Sequence, residues 1–184
     1  MTRHEPGASP VSFPVHVARL PGKGMEVAIE ADAGQRAALA AAHGLRAVER
    51  FVATLSVAPW KKGGVRVSGR VEAAVVQDCV VTLEPVAGTV DEAVSAVFLP
   101  EGSKLAVPAR SAEGEILLDA EGDDAPELFC GDTVDVGQLA EEFFALGIDP
   151  YPRKTGAELQ TPVLDVEEPR GPLHDKLAAL KKKG

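Results

Sequence analysis

The sequence predicts an α+β protein whose mainly antiparallel sheet is curled or barrel-like and is flanked by helices. Three observations support this fold class. Residues 65–73 alternate apolar and polar side chains, as in a strand with one face on a core and the other in water. Residues 51–60 form a second β-rich run, joined to the first by a short glycine-containing connection typical of a hairpin. Residues 136–146 repeat apolar side chains with the period of an amphipathic helix.

Composition is that of a globular protein. The 184 residues suit one domain with tails, and 45% hydrophobic and 26% charged residues are ordinary proportions. Every apolar run is far shorter than the roughly 20 residues that span a bilayer, and the N-terminus lacks the apolar segment of a secretory signal. Because Cys79 and Cys130 lie far apart in such a chain, no disulfide framework is expected, and the expected location is cytoplasmic.

Charge is distributed unevenly along the chain. The formal net charge of −9 combines a net of +5 over residues 1–70, −16 over residues 71–150 and +2 over residues 151–184. An acidic middle disfavours nonspecific binding of nucleic acid by the whole molecule. It is nevertheless compatible with a basic face formed by the first segment.

Local signals predict the elements in order. Residues 13–20 and 25–30 form a first hairpin around a Pro-Gly turn. Asp32 is suited to cap an alanine-rich helix over residues 33–43 that stops at Gly44. The strand that begins at Val65 places Val67, Val71 and Val75 in the core. A further apolar run over residues 79–83 extends this β region, and residues 89–99 form a third long strand that pairs with it.

Residues 101–129 are rich in acid, glycine and proline, and only residues 115–118 resemble a short strand. They are interpreted as a solvated acidic insertion; the alternative is a docking strip for a basic partner or a mimic of polyanion charge. The helix over residues 136–146 follows. Asp135 is its predicted cap and Gly147 its end. Its predicted apolar face is formed by Val136, Leu139, Ala140 and Phe143, while Glu141 and Glu142 point away.

The expected organisation is a flexible N-terminus (residues 1–12), an α+β core domain (13–154), a linker (155–172) and a C-terminal helix (173–184). Two prolines, Pro150 and Pro152, enforce an extended path after the preceding helix. The C-terminal helix is predicted from Leu173, Leu177 and Leu180, which share one face.

Three stretches resemble the YceD-like proteins of bacteria and plastids, with the alphaproteobacterial branch most similar. They are GRVEAAVVQDCVVTLEPV, DTVDVGQLAEEFFALGIDPYPRK and LAALKKK, and their order and spacing carry the resemblance. The resemblance implies non-enzymatic support of the accumulation, processing or stability of large-subunit (23S) ribosomal RNA during ribosome assembly. The implied partners are precursor rRNA, a basic ribosomal protein, or both. No membrane and no small-molecule substrate is expected.

The chain departs from this family where a metal site would need ligands. Many relatives carry a C-x-R-C-L-E-P motif, but Val81 and Thr82 stand here in place of the Arg and the second Cys. Many also carry a cysteine cluster after the helix, where this chain has residues 150–154, PYPRK. A tetrahedral zinc site needs four Cys or His ligands. We therefore expect no metal and no cofactor.

Catalytic motifs are not evident in the sequence. No glycine pattern cradles a phosphate, and no Ser or Cys stands in a nucleophile elbow. Cys79 is interpreted as a buried core thiol, and Cys130, beside acidic residues, as an unreactive one. The expectation is that the chain is not an enzyme; an rRNA nuclease, a third possibility, would need clustered carboxylates in a folded pocket.

The candidate contact residues are cations. Arg66 and Arg70 share one strand face with Ser68, and Lys61 and Lys62 continue it around the turn beside Trp60, which is typical of an RNA contact. The alternative is a solvated strand face with Trp60 in the core. The candidate set is completed by cations beyond the second helix and at the C-terminal end: Arg153, Lys154, Lys181, Lys182 and Lys183. A protein-only interaction module with indirect effects on rRNA is the second functional hypothesis.

Overall fold

A computed structural model of the protein describes residues 9–103, 105 and 126–158. The strands in this part are β1 (Pro14–His16), β2 (Met25–Glu30), β3 (Ala47–Trp60), β4 (Gly64–Asp78), β5 (Pro85–Pro100), β6 (Glu127–Phe129) and β7 (Thr133–Asp135). The helices are α1 (Ala33–Ala42) and α2 (Val136–Leu146), with two single 3-10 turns at Val17–Arg19 and Lys61–Gly63. The predicted α+β class is confirmed.

The main sheet has five strands in the order β2-β3-β4-β5-β6. The first four pair antiparallel, whereas β6 pairs parallel with β5. Within the described residues β2 and β6 are the two edges of this sheet and are not joined to each other. The sheet is therefore open, and the expected barrel-like closure is not observed.

The predicted central hairpin is confirmed. β3 and β4 pair from Ala47↔Val76 to Trp60↔Gly64, with the 3-10 turn between them. Alternate side chains of β4 are buried as predicted, with Val65, Val67 and Val71 fully inaccessible. They belong to one core that also takes in Leu39 of α1 and Phe144 of α2. The helices thus cover one face of the sheet, and the opposite face, here called the outer face, carries the polar side chains of the strands.

The predicted first hairpin is wrong. β1 pairs with β7, in the register Val15↔Val134, and β2 pairs instead with β3. The chain leaves β1 through a 3-10 turn, and the Val17 N–H that follows the strand donates to Asp132 O. Core packing also begins ahead of the expected boundary at residue 13, because Val11 is 1% exposed.

The apolar run over residues 79–83 is a turn and does not continue the strand. β4 ends at Asp78, and the Leu83 N–H donates to Cys79 O over 2.9 Å. Leu83 adopts φ +60° and is 74% exposed. The chain reverses direction here to enter β5, and the Leu83 backbone bonds within the turn. An apolar run therefore does not form a strand at this position.

Both helices begin as predicted. Asp32 accepts from the Gln35 N–H while Gln35 Oε1 accepts from the Asp32 N–H, a reciprocal capping box. α1 ends at Ala42, one residue before the predicted end, and Gly44 follows with φ +64°. Asp135 caps α2 through the N–H groups of Gly137 and Gln138.

The predicted apolar face of α2 is correct at three positions and misplaced at the fourth. Val136, Leu139 and Ala140 are buried, but Phe144 is fully buried where Phe143 was expected, and Phe143 is partly buried. The prediction that Glu141 points away is also wrong. Its side chain is 14% exposed and its Oε1 lies 3.0 Å from Nε2 of His43, because His43, the residue after α1, packs against Phe144 of α2.

The end of the acidic segment joins the sheet as β6, which the sequence did not indicate. The predicted strand at residues 115–118 lies outside the described residues. So do most of the predicted linker and the predicted C-terminal helix.

Candidate functional site

Four of the predicted residues meet where β3 turns into β4. Trp60 ends β3, Lys61 and Lys62 occupy the 3-10 turn, and Arg66 lies near the start of β4. We call these four residues the basic tip. Lys62 adopts the left-handed conformation, φ 55°, which helps to close the turn tightly and leaves the side chains of both lysines exposed.

The indole of the basic tip is surrounded by cations. The Lys61 Nζ lies 5.4 Å and the Arg66 Cζ 5.9 Å from the centroid of the Trp60 ring, within the range of cation–π attraction. Arg66 pairs in register with Ala58, two residues before Trp60, so both side chains project from the outer face. Trp60 is partly exposed and is not a member of the core. The interpretation that placed it in the core is therefore wrong.

Arg70 shares the outer face but is paired with acid. Its Nη2 donates to Asp91 Oδ2 over 2.6 Å, and its Nε contacts the other oxygen of the same carboxylate. This hydrogen bond lowers the pKa of Asp91 and raises that of Arg70, so both groups are held charged. Arg50 lies 3.8 Å from Glu72 on the neighbouring row. Neighbouring carboxylates thus neutralise both arginines in the middle of the outer face.

The cations of the basic tip are not balanced in this way. Across residues 9–103, 105 and 126–158, no carboxylate lies within ion-pair distance of Lys61, Lys62 or Arg66. The predicted candidates therefore separate into a tip with unpaired cations and a face whose arginines are neutralised locally.

Lys23 also lies at this end of the sheet, and sequence reasoning missed it. The turn over residues 21–24 leads into β2, and a Cβ built on Gly24 would lie 3.1 Å from Ala58 Cβ. Lys23 is exposed beside this close approach. Lys23 lies at this end because β2 pairs with β3 in the register Met25↔Val57. The predicted first hairpin paired β2 with a different strand, so it gave no indication of this position.

The remaining predicted cations are elsewhere. Lys154 Nζ pairs with Glu84 Oε2 at 2.9 Å, and Arg153 is exposed beside it. Both lie near the Cys79 turn, at the opposite end of β4 from the basic tip, since the Val80 N–H donates to Pro152 O. Lys181, Lys182 and Lys183 lie outside the described residues.

Cys79 is buried as predicted, but its surroundings are polar. Its Sγ accepts hydrogen bonds from the N–H of Lys154 at 3.4 Å and of Thr82 at 3.5 Å. The Lys154 bond, followed by those from Thr82, lowers the pKa of the Cys79 thiol to about 6. Cys130 Sγ instead donates to Glu101 Oε1, which raises the pKa of that thiol.

An acidic cleft lies between β6 and α2. It has a volume of about 180 Å³, with Glu127 and Glu142 at its wall and Phe98 and Phe129 among its lining residues. Partial burial, and then the nearby Glu142, raise the pKa of Glu127. In the described part of the chain no three His, Cys, Asp or Glu residues are grouped so as to hold a metal ion. No helix there is long and apolar enough to cross a membrane.

Comparison with known proteins identifies one family. The family model described as "Large ribosomal RNA subunit accumulation protein YceD" matches residues 67–182, which is more than half of the chain. The matched region begins in β4 and includes β5, the acidic segment and α2. The chain matches no curated protein and no solved structure.

Proposed function

The chain belongs to the YceD family, named for the accumulation of large-subunit ribosomal RNA, and from this premise we propose a mechanism for that role. The protein associates with precursor large-subunit rRNA during ribosome assembly and holds it without catalysing a reaction. Association of this kind favours accumulation because bound precursor is protected or kept competent for assembly. The setting is the cytoplasm, where ribosomes form.

The observation that carries this proposal is the set of unpaired cations at the basic tip. Lys61, Lys62 and Arg66 are exposed on one turn and its adjoining strand, without an ion-pair partner among the residues described. Cations that are free of carboxylates can neutralise phosphates and release the counterions condensed on RNA. Binding of this kind weakens as salt is added.

A second candidate, an interaction module that binds only protein, is supported by the acidic cleft. Glu127 and Glu142 face the same cleft, and partial burial, followed by repulsion from the charge of Glu142, raises the pKa of Glu127. A basic side chain of a ribosomal protein would relieve this repulsion between like charges. The two candidates are compatible, because an adaptor would hold RNA at the basic tip and protein at the cleft.

The test of the RNA proposal is sedimentation of the tagged protein with precursor particles from cells. We expect co-sedimentation at low salt that is lost as salt is raised, and loss at low salt in Lys62→Glu. Arg46→Glu is the matched control, because it makes the same charge change at an exposed site at the other end of β4, beside Asp78 and outside the candidate contact set. A single phosphate contact changes the salt slope by about one unit.

Absence of the wild-type protein from these particles at low salt would contradict the proposal. Equal sedimentation of Lys62→Glu and Arg46→Glu would favour the protein-only module. Circular dichroism of each variant establishes that a loss of binding is not a loss of fold.

A further inference from the structure

Trp60 occupies an unusual place for the single tryptophan of the chain. The core is formed mainly by valine, leucine, alanine and phenylalanine, and Trp60 is outside it, at the end of a strand and on the outer face. Burial of a tryptophan side chain is normally a large source of stability. Trp60 is partly buried, yet part of its ring stays exposed at the turn beside two cations, which leaves it accessible to another molecule.

The ring contacts of Trp60 indicate the chemistry of that molecule. Within the described residues, the cations beside its ring are the ammonium of Lys61 and the guanidinium of Arg66. Nucleobases stack on indole rings, and lysine and arginine bind phosphates. A base can therefore replace a cation on the ring while the displaced cation pairs with a neighbouring phosphate. The base and the phosphate of one nucleotide can thus both be bound by residues of this turn and its adjoining strand.

The dimensions of the basic tip favour a single strand over a duplex. In double-stranded RNA the base faces are stacked on one another, so an aromatic side chain reaches only bases that are splayed out. On the outer face, the positions next to the tip carry acid: Arg70 is bound to Asp91, and the exposed Glu26 lies on β2 opposite Ser56. A site of this extent suits one or two nucleotides.

We propose that the basic tip binds single-stranded RNA, with one base stacked on Trp60, its phosphates on Lys61, Lys62 and Arg66, and Lys23 as a further phosphate contact. This inference rests on the proposed function and specifies which form of RNA the protein takes. Recognition is independent of sequence, since stacking and phosphate contacts are available to every base.

The single tryptophan provides the measurement. The full-length protein is titrated with a short single-stranded oligouridylate, an RNA duplex of the same length, and inorganic polyphosphate, while tryptophan fluorescence is recorded. We expect the single strand to quench the emission and to bind more tightly than the duplex. Polyphosphate, which has charge but no bases, leaves the emission nearly unchanged.

Variants are compared by anisotropy of labelled oligouridylate. Trp60→Leu should weaken binding about tenfold, the size expected for loss of one stacked base. Trp60→Phe keeps a ring and should retain most of the affinity, which separates stacking from folding. Lys23→Ala should weaken binding about two- to threefold, as for one peripheral phosphate contact. Arg70→Gln is the control on the same face and should change little.

Equal affinity for duplex and single strand, or an unchanged affinity in Trp60→Leu, would overturn the inference. The inference would also be overturned if a basic protein, and not RNA, quenched the Trp60 fluorescence. If Trp60 binds single strands but the protein is absent from precursor particles, the proposed function fails and this inference stands. If particle binding depends on Lys62 and not on Trp60, the proposed function stands and this inference fails.

Discussion

At the scale of the residue, Asp135 joins three parts of the fold. Its Oδ1 accepts hydrogen bonds from the N–H groups of Gly137 and Gln138, which begin α2, and from that of Phe13 at 2.8 Å. Its Oδ2 accepts from the Ser12 hydroxyl. One carboxylate therefore caps a helix and also fixes the N-terminal segment that carries Val11 into the core.

Asp135→Ala should lower the free energy of unfolding by about 2–3 kcal/mol, because a helix cap contributes about 1 kcal/mol and hydrogen bonds to a charged group add to it. Urea denaturation followed by circular dichroism measures the change. Asp32→Ala, which removes the cap of α1 alone, is the comparison and should cost about 1 kcal/mol. An equal loss in the two variants would show that the N-terminal contacts of Asp135 contribute nothing.

At the scale of the element, the Cys79 turn and the segment after α2 are joined through one sulfur atom. The Lys154 N–H donates to Cys79 Sγ, the Val80 N–H donates to Pro152 O, and Lys154 pairs with Glu84. These contacts give the segment a fixed path along the end of β4 and β5. Because one of these contacts is made to Cys79 Sγ, the attachment of the segment after α2 also depends on the protonation state of the Cys79 thiol.

Stability should fall as the pH falls from 9 to 6. The pKa of Cys79 is lowered from 9.0 to about 6, chiefly by the Lys154 N–H. An acid whose folded-state pKa is lowered stabilises the fold fully above its unfolded pKa and loses that contribution as the pH falls through its folded pKa. The measurement is urea denaturation across this range, with thiolate absorbance to locate the titration.

Cys79→Ser should remove this pH dependence. Thr82→Val keeps the backbone N–H but removes the Thr82 hydroxyl, whose hydrogen bond also lowers the pKa of Cys79, so the thiolate titration should move to higher pH. Cys130 serves as an internal reference, since its pKa is raised above 9.0. A titration of the Cys79 thiol near pH 9 in the folded protein would refute the claim that hydrogen bonds from Lys154 and Thr82 stabilise its thiolate.

The long elements could be predicted from the sequence, and the short ones could not. The alternation in β4 and the caps of α1 and α2 are local signals, and each was sufficient. β1, β6 and β7 have three residues each, and their partners are set by contacts across the whole fold. The basic tip was predictable because its cations are adjacent in sequence. The neutralisation of Arg70 was not, because Asp91 lies on another strand.

At the scale of the whole molecule, opposite charges occupy different places. The unpaired cations of the basic tip lie at the β3–β4 turn, whereas Glu127 and Glu142 line the cleft between β6 and α2. This arrangement follows the unequal charge of the two segments of the chain. Both groups lie at the same end of the sheet, because Val65 pairs with Phe98 and Phe98 with Glu127. They differ in the face they occupy: the basic tip carries Trp60 and Arg66 on the outer face, and the cleft opens on the face that packs against α2.

The parallel pairing of β5 with β6 makes the sheet edge a permissive site for protein engineering. Phe98 pairs with Glu127 and Pro100 with Phe129, so the chain leaves the sheet and returns to it at adjacent positions. The entropy of closing a loop changes slowly with its length. Replacing residues 104–125 by a Gly-Ser linker of about a dozen residues, long enough for a parallel crossover, should therefore preserve the fold and oligouridylate binding, measured by thermal unfolding and anisotropy. Loss of the folded sheet would show that these residues stabilise it; retention would make the edge a place to insert a reporter domain.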